Sequence, residues 1–210
     1  MYVPPRFKSE DRSAAARLMR EYPFASLISC DDDGLPYVTH LPLLLEERAG
    51  EAEGQPPSWV LLGHCAKPNA HWRHLQARPT AVAAFLGPHA YISPGVYPDL
   101  ARVPSWNYLA VHCTVQARLV EDAEAKDALL KKLIGAHEPP YAQQWRDLPE
   151  NYTDMMLNAI VAFELDVTAW QCKLKMNQHQ PESHAALRER FASGSENERA
   201  LLRWLDESKT

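Results

Sequence analysis

Five short segments of this 210-residue chain concentrate side chains able to hold charge or pass a proton. They are Thr39-His40-Leu41-Pro42, Gly63-His64-Cys65-Ala66-Lys67-Pro68-Asn69, Gly87-Pro88-His89-Ala90-Tyr91-Ile92-Ser93-Pro94, Val103-Pro104-Ser105-Trp106-Asn107-Tyr108 and Lys173-Leu174-Lys175-Met176-Asn177-Gln178. The second has the most direct chemistry. A strand ends at His64 and a helix opens near Pro68, with Lys67 at its mouth. Backbone N–H groups at a helix N-terminus attract anions, and a lysine there adds a full charge. His64, Lys67 and the N–H groups of Asn69 and Ala70 are thus a candidate phosphate grip. A solvated lysine beside a packed histidine is the competing reading. Tyr91, Tyr97, Trp106 and Tyr108, close in sequence to Ser93, Ser105 and Asn107, suit a planar heteroaromatic ligand. They equally suit a core or an interface.

Metal and nucleophilic chemistry are less well provided for. His71 and His74 lie one helical turn apart and His64 is near, but no acidic residue falls between positions 54 and 98 to support them. No Cys or Ser stands in a motif that sets it beside a base.

These segments must be positioned by strands. Ser9 is the expected N-cap of a helix carrying Ala14, Ala15, Leu18 and Met19, which stops before Pro23. Strands are expected at 24–30 and 36–45, joined by the turn Asp32-Asp33-Gly34. A charged loop at 46–57 follows, then a strand at 58–65 and a short helix at 68–76. Strands at 80–86 and 90–93 are separated by Gly87-Pro88. A loop at 94–105 precedes a long strand at 107–119 and an amphipathic helix at 122–134. Residues 139–151 read as a loop, 153–157 as a helical turn and 160–170 as a last strand. Two short helices are expected near 182–192 and 196–207. Antiparallel-type strands without βαβ alternation imply a mainly β, α+β fold, a barrel or a sandwich. The expected organisation is a barrel domain over 1–170, with a helical insertion at 122–157, and a helical extension over 171–210.

Composition is that of a folded protein: 46% hydrophobic and 23% charged, with a net charge of -5. No apolar run nears the roughly 18 residues of a membrane span, and the first residues have no signal-like apolar region. Cys30, Cys65, Cys113 and Cys172 are scattered. A cytoplasmic, non-membrane protein is expected. Residues 171–210 hold seven basic and six acidic groups, a poor surface for tracking nucleic-acid phosphates.

The ordered set MYVPPRF, PFASLIS, THLPL, GHCAKPN, GPHAYISP, VPSWNY and KLKMNQ resembles the PaiB-like, FMN-binding negative transcriptional regulator family over some 175 residues. The resemblance implies a Greek-key FMN-binding split β-barrel, a homodimer, and FMN in the cleft between subunits. It further implies that His64, Lys67 and Asn69, helped by Thr39 and His40, hold the phosphate. Leu41 and Pro42 would border the ring through the main chain. Trp106 and Asn107, with Lys173 and Gln178, would close the cleft, and Tyr91 and Ser93 are further candidate cofactor contacts. Three departures stand out: Gly95-Val96-Tyr97 where the family continues to a Trp-Tyr pair, Ser105 for threonine, and Asn177 and His179 in the C-terminal motif. The family label implies transcriptional repression, and the charge balance favours an indirect role over direct DNA binding. A flavin-dependent oxidoreductase, with His40, His89 or Tyr91 as proton donors, is the alternative expectation. A haem-type planar-ligand module ranks below both.

Overall fold

The computed structural model describes residues 1–50, 57–99 and 101–207. Eight strands are present among them: β1 (Lys8–Ser9), β2 (Phe24–Cys30), β3 (Pro36–Pro42), β4 (Leu44–Arg48), β5 (Ser58–Ala66), β6 (Thr80–Ile92), β7 (Ser105–Val120) and β8 (Ile160–Lys175). Seven α-helices accompany them: α1 (Arg12–Glu21), α2 (His71–Ala77), α3 (Ala123–His137), α4 (Tyr141–Asp147), α5 (Glu150–Asn158), α6 (His184–Ala192) and α7 (Glu196–Glu207). The sheet order is β3-β2-β6-β7-β8-β5-β4, with β1 paired to β8. Two compact units divide the chain, one of residues 22–85 and 112–170, the other of residues 1–21, 86–111 and 171 onward.

In the first unit the two ends of the sheet, β3 and β4, are consecutive along the chain with only Leu43 between them. β3 also packs against β5, so the sheet curls back on itself. The β2–β3 hairpin runs from Phe24↔Pro42 to Cys30↔Pro36. Its turn is held by Asp31, whose carboxylate accepts from the N–H groups of Asp33 and Leu35 at 3.0 and 2.8 Å. Gly34 supplies the left-handed φ of 79° that this turn requires. Alternation sends Ala25, Leu27 and Ser29 inward and leaves Phe24, Ser26 and Ile28 on the other face. β5 is instead buried on both sides along Trp59-Val60-Leu61-Leu62-Gly63, because Leu129 and Leu133 of α3 pack on Val60, Leu62 and Ala162. That double burial is why its sequence reads as a continuous apolar run.

Gly63 lies where backbone and core approach most closely. A β-carbon there would come within 2.7 Å of Leu43 and 3.0 Å of Phe163, both fully or almost fully buried. Gly63→Ala should therefore cost about 1–3 kcal/mol of stability, seen as a lower urea midpoint at unchanged m-value.

Several boundaries differ from the sequence reading. The expected 36–45 strand breaks at Leu43, and 46–48 extend its second part into β4 instead of starting the 46–57 loop; residues 51–56 of that loop lie outside the described residues. The 139–151 segment is largely helical, because Pro140 and Pro149 sit at the N-caps of α4 and α5, where a missing N–H is tolerated. Trp145 of α4 is buried and donates to Asp127 of α3 at 3.1 Å.

In the second unit, β6 continues through Gly87-Pro88. Gly87 lets the strand close on Leu18 and Leu109, since a β-carbon would stand 2.9 Å from Leu18 Cδ1. Helix α1 is capped by Asp11 and not by Ser9: the Asp11 carboxylate accepts from the N–H groups of Ser13 and Ala14 at 2.8 and 3.3 Å. Helix α7 begins with a capping box in which Ser195 Oγ accepts from Glu198 N and Glu198 accepts from Ser195 N. Trp204 of α7 donates to Glu21 and lies under the Arg17 guanidinium at 4.3 Å, which docks α7 on α1. The cysteines are all free, and burial pushes the Cys172 thiol up to about 12.

Candidate functional site

In the first unit the chemically dense side chains gather around Thr39 on β3 and the 67–71 turn that follows β5. Asn69 Nδ2 donates to Thr39 Oγ1 at 3.2 Å, and Asn69 Oδ1 accepts from the Tyr37 hydroxyl at 3.2 Å and from His71 N at 3.0 Å. His71 Nδ1 lies 2.7 Å from Thr39 Oγ1. Tyr37 presents its ring to both histidines of α2, edge-on to His71 at 5.1 Å and tilted to His74 at 4.8 Å. His71 is 1% exposed, and burial, helped by the nearby His74, pulls it down to about 4. It is neutral at physiological pH. Its Nε2 is buried with no hydrogen-bond partner among the described residues. An unpaired buried polar group costs about 1–3 kcal/mol, and sites that retain one usually have a use for it.

Around this network the anticipated residues separate. Lys67 is exposed, and no ion pair is formed by it among the described residues. Its main chain is fixed on both sides: its N–H donates to Ala159 O at 2.8 Å and its carbonyl accepts from Trp72 Nε1 at 2.9 Å. Asn69 N donates to Ala66 O at 2.9 Å, so the expected free N–H at this position is already committed. The helix itself begins later than expected, at His71, and is seven residues long. Its dipole thus adds little, and the side chains of Lys67, Asn69 and His71 dominate. His64 is half-buried on β5 opposite Ala162, and burial holds its imidazole below the ordinary value. His40 faces away from Thr39, as neighbours on a strand must. It lies 3.0 Å from Ser26 Oγ and stacks on Phe24 at 6.4 Å. Leu41 is buried on the Thr39 side, and Pro42 is half-buried on the His40 side.

Tyr37 and His71 escaped the motif-based reading. The signal was available: alternation places Tyr37 on the face of Thr39, and His71 follows Asn69 by two. Among the described residues no three His, Cys, Asp or Glu side chains converge as a metal-holding group.

The second unit holds the remaining anticipated residues. Trp106 is 52% exposed, with Tyr91 edge-on at 6.0 Å and His89 tilted at 6.2 Å. Ser93 caps the 94–96 turn by accepting from Gly95 N, and Val96, in place of the family's aromatic, is buried. Asn107 is buried, and its Oδ1 has no partner among the described residues. Lys173 is buried too, donating to Tyr2 O at 3.2 Å with the Tyr108 ring 4.8 Å away. Gln178 is committed to the main chain. Its amide donates to Leu174 O and Arg6 O and accepts from Met176 N.

Comparison with known proteins places the chain in a family and a fold. A family model described as "Putative FMN-binding domain" covers residues 1–169. The chain is 30% identical to the protease synthase and sporulation protein PAI 2 of Bacillus subtilis, over 87% of this chain and 84% of that one. It is 26% identical to the uncharacterized protein YKL070W of Saccharomyces cerevisiae, over 63% of this chain and 86% of that one. Among solved structures, the FAD and heme binding protein of Mycobacterium smegmatis superposes with a TM-score of 0.62 at 18% identity, covering 85% of this chain and 79% of that one. The flavocytochrome Anf3 of Azotobacter vinelandii gives 0.61 at 16%, covering 83% and 72%. These two are likenesses of fold, the α+β split barrel implied by the family resemblance. With its sequence matched from residue 1 to 169 and its fold shared, the chain belongs to the FMN-binding domain family that includes PAI 2.

Proposed function

We propose that this protein is an FMN-binding homodimer with a regulatory, ligand-sensing role. The observation that carries the reading is the Thr39–Asn69–His71 network beside the unpaired Lys67. An ammonium in solvent and a buried imidazole nitrogen without a partner are groups that a phosphate monoester would satisfy. The residues present therefore fit FMN, with Lys67, Asn69 and Thr39 as the phosphate side and His64 next to them on β5. Bound FMN would supply a planar, reducible ring. Trp106, Tyr91 and Asn107 are the proposed ring contacts, made from a second copy of the chain.

The homodimer reading is supported by one face of the first unit. Ile28, Val38 and Val82 lie together on the outer side of β2, β3 and β6, set by the pairings Ile28↔Val38 and Ile28↔Val82, and Phe24 stands on the same face beyond the Ser26–His40 pair. Phe24 is 67% and Val38 47% exposed. Apolar side chains exposed on one sheet face, with one polar pair between them, support an interface there. Phe24→Glu combined with Val38→Lys should halve the mass in sedimentation equilibrium while the thermal midpoint of the monomer stays measurable. A mass unaltered by the double change would contradict this assignment.

The regulatory role draws on the similarity to PAI 2, a protein named for protease synthesis and sporulation. Direct DNA binding is not part of the proposal, given the near-neutral C-terminal charge. Stopped-flow mixing of the FMN-loaded protein with NADPH tests the role. Negligible turnover supports the sensor, and sustained turnover with an electron acceptor makes it an oxidoreductase.

A further inference from the structure

The second unit contains a cleft of about 400 Å³ whose walls carry Arg6, Phe7, Tyr97, Arg102, Lys175 and His179. We infer that this cleft binds a small molecule bearing an oxyanion, a phosphate or a carboxylate, at a site distinct in its residues from the Thr39–Asn69 network. The inference does not depend on the flavin reading.

The argument begins with charge. Arg6 and Lys175 flank a single ring, that of Phe7, with the guanidinium carbon 5.8 Å and the ammonium 5.9 Å from its centroid. No ion pair is formed by either cation among the described residues. Lys175 donates instead to Ser105 Oγ at 2.7 Å. Burial, together with the neighbouring Lys173, holds the Lys175 ammonium below its ordinary value. His179 packs edge-on against Phe7 at 5.2 Å and is lowered by burial and by Arg6 and Lys175, with Glu182 opposing them. Only Arg102 is compensated, by Asp99 at 3.0 Å and Glu182 at 3.2 Å, while it covers the Tyr97 ring at 5.2 Å. The ring attracts each cation but neutralises neither charge. Two cations without a carboxylate among the described residues, beside one partly desolvated cleft, leave charge that a bound oxyanion would offset.

The frame around these cations is rigid. Gln178 grips the Arg6 carbonyl at 3.2 Å and so fixes the backbone that carries the guanidinium. Asn177 is buried in a left-handed conformation, φ 62°. Its amide donates to the Tyr97 hydroxyl at 2.8 Å, and its carbonyl accepts from Gln180 N and lies 2.9 Å from His184 Nε2. The loop and the Arg6 main chain are thus set before any ligand arrives, and Ser105 holds the Lys175 ammonium, which is the kind of support an oxyanion site needs. Phe7 and Tyr97 add apolar wall for the rest of a small molecule, and the volume suits one.

Isothermal titration of the full chain with inorganic phosphate and, separately, with succinate, in low-salt chloride buffer, tests this. The expected result is a dissociation constant below about 1 mM for at least one of them. Phosphate alone identifies a phosphate monoester, succinate alone a carboxylate. Arg6→Gln and Lys175→Met should each weaken that binding at least about tenfold, as loss of a charge-assisted hydrogen bond implies. The same variants should leave FMN affinity within about twofold. Arg6 is exposed, so its variant reports even if Lys175→Met does not fold, and Lys175→Arg should retain binding. Absence of binding by either anion at about 10 mM, variants that bind as tightly as the parent, or competitive displacement of the anion by FMN would each overturn the assignment.

Discussion

Lys67→Ala should weaken FMN binding by about 10–100-fold while leaving riboflavin affinity unchanged. A hydrogen bond to a charged group contributes about 1.5–3 kcal/mol, and each 1.4 kcal/mol is a factor of ten in affinity. Among the described residues the Lys67 ammonium has no carboxylate to release before it meets a phosphate, so little of that gain is offset. Its backbone is pinned by Ala159 and Trp72, so truncation removes the charge without moving the turn. Riboflavin lacks the phosphate and reports everything else. Fluorescence titration of the two flavins separates the cases. Equal weakening of both would mean that Lys67 shapes the turn and does not hold the phosphate.

The second large effect is on stability. His71 titrates near 4 when folded and near 6.5 when unfolded, so below pH 6.5 the unfolded chain binds the extra proton. The stability tied to a neutral His71 is complete above the unfolded value and is lost as pH falls from 6.5 towards 4. One proton corresponds to about 1.4 kcal/mol per pH unit, so about 2 kcal/mol should disappear between pH 7.5 and 5. Burial holds His64 and His112 below their ordinary values too, and they add to the slope with the same sign. His71→Gln should remove one proton's share of it. Urea unfolding at pH 7.5, 6, 5 and 4.5 measures the difference, and parallel curves for parent and variant would exclude a buried neutral imidazole.

Much of this arrangement is legible in the sequence, for identifiable reasons. The β2–β3 hairpin follows from Asp-Asp-Gly between alternating strands, and α7 from Ser195 and Glu198 at capping-box spacing. Thr39 and Asn69 stand in motifs, and the fold brings them within hydrogen-bond distance. Errors arose where one residue type has two uses. Prolines 140 and 149 read as breakers yet start helices. Gly87-Pro88 reads as an interruption yet lies within β6, because glycine permits the close approach to Leu18. Ser9 and Asp11 are both competent caps, and the carboxylate two residues later won. The His71–Tyr37 pairing and the Arg6–Lys175 cleft escape motif reading because each joins segments that only the folded sheet brings together. Motif reading finds residues adjacent in sequence. Long-range pairs need the register.

The proposed function rests on a flavin being held through its phosphate. Purification of the full chain followed by acid release and chromatography of any bound flavin tests that most directly, with added FMN supplied if the isolated protein is empty. The account predicts a yellow protein that retains FMN, close to one per chain, and discriminates it from riboflavin. A colourless protein that fails to take up FMN at micromolar concentration would contradict it.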